Sequence, residues 1–155
     1  MNQYFLLKSL HIFGAVIFLG NIIVTAVWKA LADRTGNPAI VAYAQRLVTI
    51  TDFAFTGVGA ALIAITGPLM AEQFGGIGAT KWVTWGVRMF VASGLIWVFI
   101  LIPVQIMQAR MARTFATQSA IPSQYRRLSS IWNVAGAVAT LLPLANLYFM
   151  VFKPA

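Results

Sequence analysis

In the stretch "LLKSLHIFGAVIFLG", Leu6 to Gly20, Lys8 and His11 interrupt an otherwise apolar run, and His11 is the chain's single histidine. Ionisable side chains are costly in hydrocarbon and seldom occur there without a partner or a task. On a helix, Tyr4, Lys8, His11, Ala15, Phe18 and Ile22 share one face. A small residue one turn from a histidine, with aromatics beyond it, leaves room for a flat ring. A helical bundle can hold haem in this way, with an axial imidazole on one helix and packing from its neighbours. The same histidine also suits a structural role, neutral and hydrogen-bonded to a backbone carbonyl or to a Thr or Ser on another helix. A single histidine rules out bis-histidine ligation within one chain. The iron would then be five-coordinate, take Met89 at a similar depth, or share His11 residues across a homodimer.

Lys8 and Arg88 fall near matching ends of two apolar segments. They could grip carboxylates, such as haem propionates or a tetrapyrrole substrate, or simply snorkel to the headgroups. Asp52 needs a partner, with Arg126 or Arg127 offering charge and Asn133 a hydrogen bond. Asp33 and Glu72 sit at the expected water boundary and read as solvated. Other chemistries are poorly furnished. "FGGIG" lacks the strand and helix of a dinucleotide loop, and the absence of cysteine excludes thiolate sites and disulfides. No Ser or Thr has a plausible base partner for hydrolysis.

The elements that position these residues follow from composition. Of 155 residues, 60% are apolar and 9% charged, against about 25% charged in a soluble domain. The net charge of +8 does not point to nucleic acid, because the basic residues cluster at the ends of apolar runs rather than along a helix face. Spanning a bilayer takes roughly 20 mostly apolar residues, and four segments qualify: 4–31, 53–71, 82–107 and 131–152. The expected fold is an all-α integral membrane four-helix bundle in one domain, residues 1–155. The stretch "AIVAYAQRL" after the first span should lie at the interface or extend the second helix. Ala30-Leu31-Ala32 resembles a cleavage site, but the apolar run is too long and Trp28 and Lys29 crowd it, so the first helix should be retained.

Basic residues set the orientation. Lys29, Arg34, Arg46, Arg110, Arg113, Arg126 and Arg127 flank the first and third connections, against Lys8, Lys81, Arg88 and Lys153 on the other side. The positive-inside rule therefore puts both termini in the periplasm, in a bacterial inner membrane. The halves echo each other: "RLVTITDFA" from Arg46 matches "RLSSIWNVA" from Arg127, and "KSLHIFG" from Lys8 matches "RMFVASG" from Arg88. Two similar hairpins are expected, as a parallel repeat, unless the matches are chance. Small residues at Gly57, Gly59, Ala61, Gly136 and Ala137 would permit close helix contacts, and Pro68, Pro103 and Pro143 should kink their helices.

The pieces "LLKSLHIFGA", "RTGNPAIVAYAQRL" with "TDFAFT", "IPVQIMQARMA", "YRRLSSIW" and "FMVFKP" resemble an uncharacterised family of bacterial four-helix predicted integral membrane proteins. More distantly, Lys8-Ser9-Leu10-His11-Ile12, Tyr125-Arg126 and Lys153-Pro154 are similar to stretches of the haem-containing four-helix membrane protoporphyrinogen oxidases. That resemblance implies haem b with His11 as ligand. It also aligns Arg88 with a functional lysine early in their third helix. The chain departs from the pattern where Asn133 lacks a following glutamate and where Asp52-Phe53 replaces a proline. An arginine also cannot release a proton as a buried lysine can, so the oxidase activity does not carry over directly. The leading expectation is a haem-b or tetrapyrrole-binding redox protein with His11, Lys8 and Arg88 at its site and an electron-transfer partner left undefined. The competing expectation is a non-enzymatic scaffold, partner subunit or small transporter component in the lipid bilayer, with a homo-oligomer as the candidate assembly and His11 structural.

Overall fold

The computed structural model describes residues 3–154. Four helices in it are long and apolar enough to cross a membrane: α1 (Gln3–Thr35), α2 (Pro38–Phe74), α3 (Lys81–Phe115) and α4 (Ser123–Phe152). No strand occurs among the described residues. The helices outrun the apolar stretches because capping, not hydrophobicity, sets where they begin and end. Gly36 takes φ +63° and stops α1. Asn37 then caps α2, its side chain accepting from the backbone N–H groups of Ala39 at 2.9 Å and Ile40 at 3.4 Å, with Pro38 in the first turn. The amphipathic "AIVAYAQRL" is thus the start of α2 itself. At 1.5 Å per residue α2 is about 55 Å long, so it projects beyond a hydrocarbon core of about 30 Å.

We call the end holding residues 36–37 and 116–122 the connection end, and the opposite one the terminal end. Towards the terminal end, α1 packs on α2 and α3 on α4, as two hairpins. A Cβ on Gly59 would lie 2.7 Å from the Gly14 carbonyl oxygen, so the α1 and α2 backbones touch there. In the second hairpin, Asn146 donates to the Gly86 carbonyl (3.1 Å) and Ser93 to the Ala139 carbonyl (2.8 Å). Gly136, expected at a helix contact, has nothing within 4 Å of a would-be Cβ. It faces a cavity instead.

Towards the connection end, α2 leaves its hairpin partner's terminal half and packs against α3 as well as α1. The change of partner happens at two π turns, Asp52–Gly57 in α2 and Trp97–Leu101 in α3. Each π turn adds a residue and rotates the following helix by about 100°. Pro103 favours the one in α3, since it lacks the N–H that would bond the Phe99 carbonyl. Beyond the turns, Val48, Leu101, Val104, Leu128 and Trp132 form one buried cluster, and Val41, Ala112, Phe115 and Tyr125 another. The tight core is therefore in the connection half. Exposed apolar side chains such as Phe13, Phe99 and Val151 suit acyl chains.

Candidate functional site

The two π turns meet around a cavity of about 510 Å³. Its walls are largely apolar and include four aromatic side chains, Phe18 from α1, Phe90 and Trp97 from α3, and Trp132 from α4. Its polar groups are few: Thr25, Asp52, Thr56, Gln105 and Asn133 among them. A cavity of this size and lining suits a small, mostly apolar molecule oriented by a few hydrogen bonds. π turns recur at functional sites because the widened turn re-aims side chains and frees backbone groups.

Asp52 opens the α2 π turn and reaches this cavity. The Trp97 indole N–H donates to its Oδ2 at 2.9 Å, and the neutral side chains of Thr56 and Gln105 lie beside it. Thr56 Oγ1 in turn accepts from Asn21 Nδ2 at 2.9 Å. Every group that bonds to the carboxylate is neutral, and no ion pair of Asp52 is found among the described residues. Neither Arg126 nor Arg127 supplies the partner expected from sequence, for both are exposed. The α3 π turn brings Trp97 to Asp52 instead. Asn133 does line the same cavity.

Below Trp132 lies a second polar cluster. Lys29, only 1% exposed, donates to Asp33 Oδ2 (3.0 Å), Ser129 Oγ (3.1 Å) and the Tyr125 hydroxyl (3.3 Å). Its three N–H groups thus have three acceptors. Ser129 also donates to Asp33, and Tyr125 donates to Gln45 Oε1 at 3.2 Å. The ammonium sits 5.2 Å from the Tyr125 ring centroid and 5.6 Å from that of Trp132. Asp33, expected to be solvated, is the counter-charge of a buried lysine.

A family model described as "Predicted integral membrane protein (DUF2269)" matches residues 5–154. The chain belongs to this family. No curated protein and no solved structure matches it. The family description and the four spans together make this an integral membrane protein.

In this DUF2269 member, His11 lies at the α1–α2 contact, its Cε1 3.4 Å from where a Cβ on Gly67 would stand. Its Nδ1 is 2.8 Å from Thr66 Oγ1, and the Thr66 hydroxyl hydrogen is committed to the Leu62 carbonyl at 2.6 Å. Nδ1–H is therefore the donor and Nε2 keeps the lone pair. His11 does not line the cavity. Lys8 is exposed, and so is Arg88, whose guanidinium lies 5.2 Å from the ring centroid of Trp85 on its own helix. No hydrogen bond or ion pair joins Lys8, His11 and Arg88 among the described residues. The sequence reading passed over Lys29, Gln45, Trp97, Gln105 and Gln108. Their signal was present as amides and a lysine set within or beside apolar spans, where polar groups need a reason.

Proposed function

We propose that this protein is a ligand-binding component of the bacterial inner membrane, with its basic connection end in the cytoplasm. Its cavity holds a mostly apolar molecule whose cationic or hydrogen-donating end meets Asp52. The observation that carries this reading is a carboxylate in the cavity wall, bonded only by neutral groups. A cationic end would supply the counter-charge that no described residue supplies, while the apolar walls take the rest of the molecule. On this reading the protein is a small carrier or transporter component. An organic extract of protein purified from native membranes in mild detergent should contain, in stoichiometric amount, an amine or other cationic amphiphile identifiable by mass spectrometry. Extracts holding only bulk phospholipid would overturn the assignment.

A second reading, haem b on His11, has one observation in its favour. The Thr66 contact orients the imidazole and leaves Nε2 with its lone pair, as an axial ligand requires. Lys8 and Arg88, both exposed, would be the groups available to propionates or to the carboxylates of another tetrapyrrole. Bound haem would supply one-electron chemistry. Because His11 does not line the cavity, this would be a separate site from Asp52. Protein made with ample haem should then show a Soret band that His11→Ala abolishes without loss of membrane insertion. Wild-type protein with no Soret absorbance leaves His11 structural.

A further inference from the structure

Three glutamines lie between the cavity and the Lys29 cluster, and two of them are incompletely bonded. Gln45 and Gln108 are both 0% exposed. The side-chain nitrogen of Gln45, and both the nitrogen and the oxygen of Gln108, have no hydrogen-bond partner among the described residues. A buried unpaired amide group costs roughly 1–3 kcal/mol, and interior water is the usual remedy at a polar site. Val41 shares a buried cluster with Ala112, and Val48 shares another with Val104; Gln45 and Gln108 fall at the intervening positions of the two helices, both fully buried. Gln105 is one turn along α3 from Gln108, lies beside Asp52, and accepts from the Trp132 indole N–H at 3.4 Å. At the other end, Gln45 accepts from Tyr125, which accepts from Lys29, which pairs with Asp33.

We propose that Asp52 exchanges protons with water at the connection end through a short file of buried waters held by Gln105, Gln108 and Gln45. The proton enters beside the Lys29–Asp33 pair, passes between water molecules at the unpaired amide groups, and adds to an Asp52 carboxylate oxygen. No bond other than O–H forms or breaks. The groups facing Asp52 are neutral on every neighbouring helix: Thr56 on α2, Trp97 and Gln105 on α3, and Trp132 and Asn133 around the cavity on α4, while α1 contributes Asn21 through Thr56. The charged and titratable groups nearest the path are Lys29, Asp33 and Tyr125, beyond Trp132. A carboxyl reachable by protons from one face would let that face set the charge the cavity presents. This holds for Asp52 whether or not the cavity's ligand is the one named above.

The test is infrared spectroscopy of the full chain in nanodiscs. In acid, one component of the protonated-carboxyl C=O band should be present in wild type and missing in Asp52→Asn, while those of Asp33 and Glu72 remain. After transfer to D₂O, that component should shift rapidly in wild type. Gln108→Leu and Gln45→Leu, which replace the amides by apolar groups of similar size, should slow the shift roughly tenfold or more, equivalent to about 1.4 kcal/mol on the barrier. Val151→Ala, on an exposed face of α4 and remote from the path, should leave the rate unchanged. If one leucine variant fails to insert as helix, the other decides. A wild-type rate in a folded leucine variant, or no band assignable to Asp52, overturns the proposal, and neither result bears on what the cavity binds.

Discussion

Replacing Lys29 by methionine should destabilise the bundle by about 3 kcal/mol, at the lower end of the cost of removing one partner from a buried ion pair. The substitution strips Asp33 of its counter-charge and leaves Tyr125 and Ser129 without the donor they share. The Asp33 side chain is 23% exposed, so water at the connection end relieves part of the loss. The double variant Lys29→Met with Asp33→Leu should return to within about 1 kcal/mol of wild type, because a well-packed apolar pair commonly replaces a buried ionic one at little cost. Equilibrium unfolding in mixed micelles, followed by tryptophan fluorescence, reads both values. A Lys29→Met protein as stable as wild type would mean that the cluster does not tie α1 to α2 and α4.

Several features of the architecture were legible in the sequence, and for a physical reason. Crossing hydrocarbon demands long apolar helices, and that demand is written into composition and run length. "TGNP" likewise announced the break between α1 and α2, since Gly36 and Asn37 act through local backbone chemistry. The extension of α2 back to Pro38 was one of the two readings open to "AIVAYAQRL", but the start of α4 at Ser123 was not legible, because once outside the hydrocarbon a helix can continue in polar residues without an apolar signal. Both π turns were invisible as well. They depend on which face of α2 and α3 must turn towards a new partner, a tertiary matter that Pro103 hints at only for α3.

The site divides in the same way. His11 stood out because it is unique in the chain, and its hydroxyl partner on another helix was among the contacts expected of it. Asp52 stood out because it is an acid beside an apolar run, yet its partner Trp97 could not be named without the π turns that join them. Lys29 was read as a marker of orientation, one basic residue among those flanking a connection. Its spacing of four from Asp33, with Tyr125 and Ser129 a turn apart on α4, becomes a cluster only when the helices assemble.

Binding at the cavity should depend on the Asp52 charge. A carboxylate that meets a ligand cation away from water contributes about 1.5–3 kcal/mol through a charged hydrogen bond, or roughly ten- to hundredfold in affinity. Asn keeps the side chain's size and its ability to accept from Trp97, so the fold should survive Asp52→Asn while the charge is lost. The uncharged form of the ligand should lose as much on wild type as the cation loses on the variant. Equilibrium dialysis of a radiolabelled lipophilic primary amine, and of its neutral alcohol analogue, against nanodiscs with and without protein measures all three. We expect saturable binding of the amine to wild type, weakened at least about tenfold in Asp52→Asn, with the alcohol bound weakly by both. Equal amine binding by wild type and Asp52→Asn, or binding no greater than that of empty nanodiscs, would contradict the assignment of the cavity as a cation-oriented ligand site.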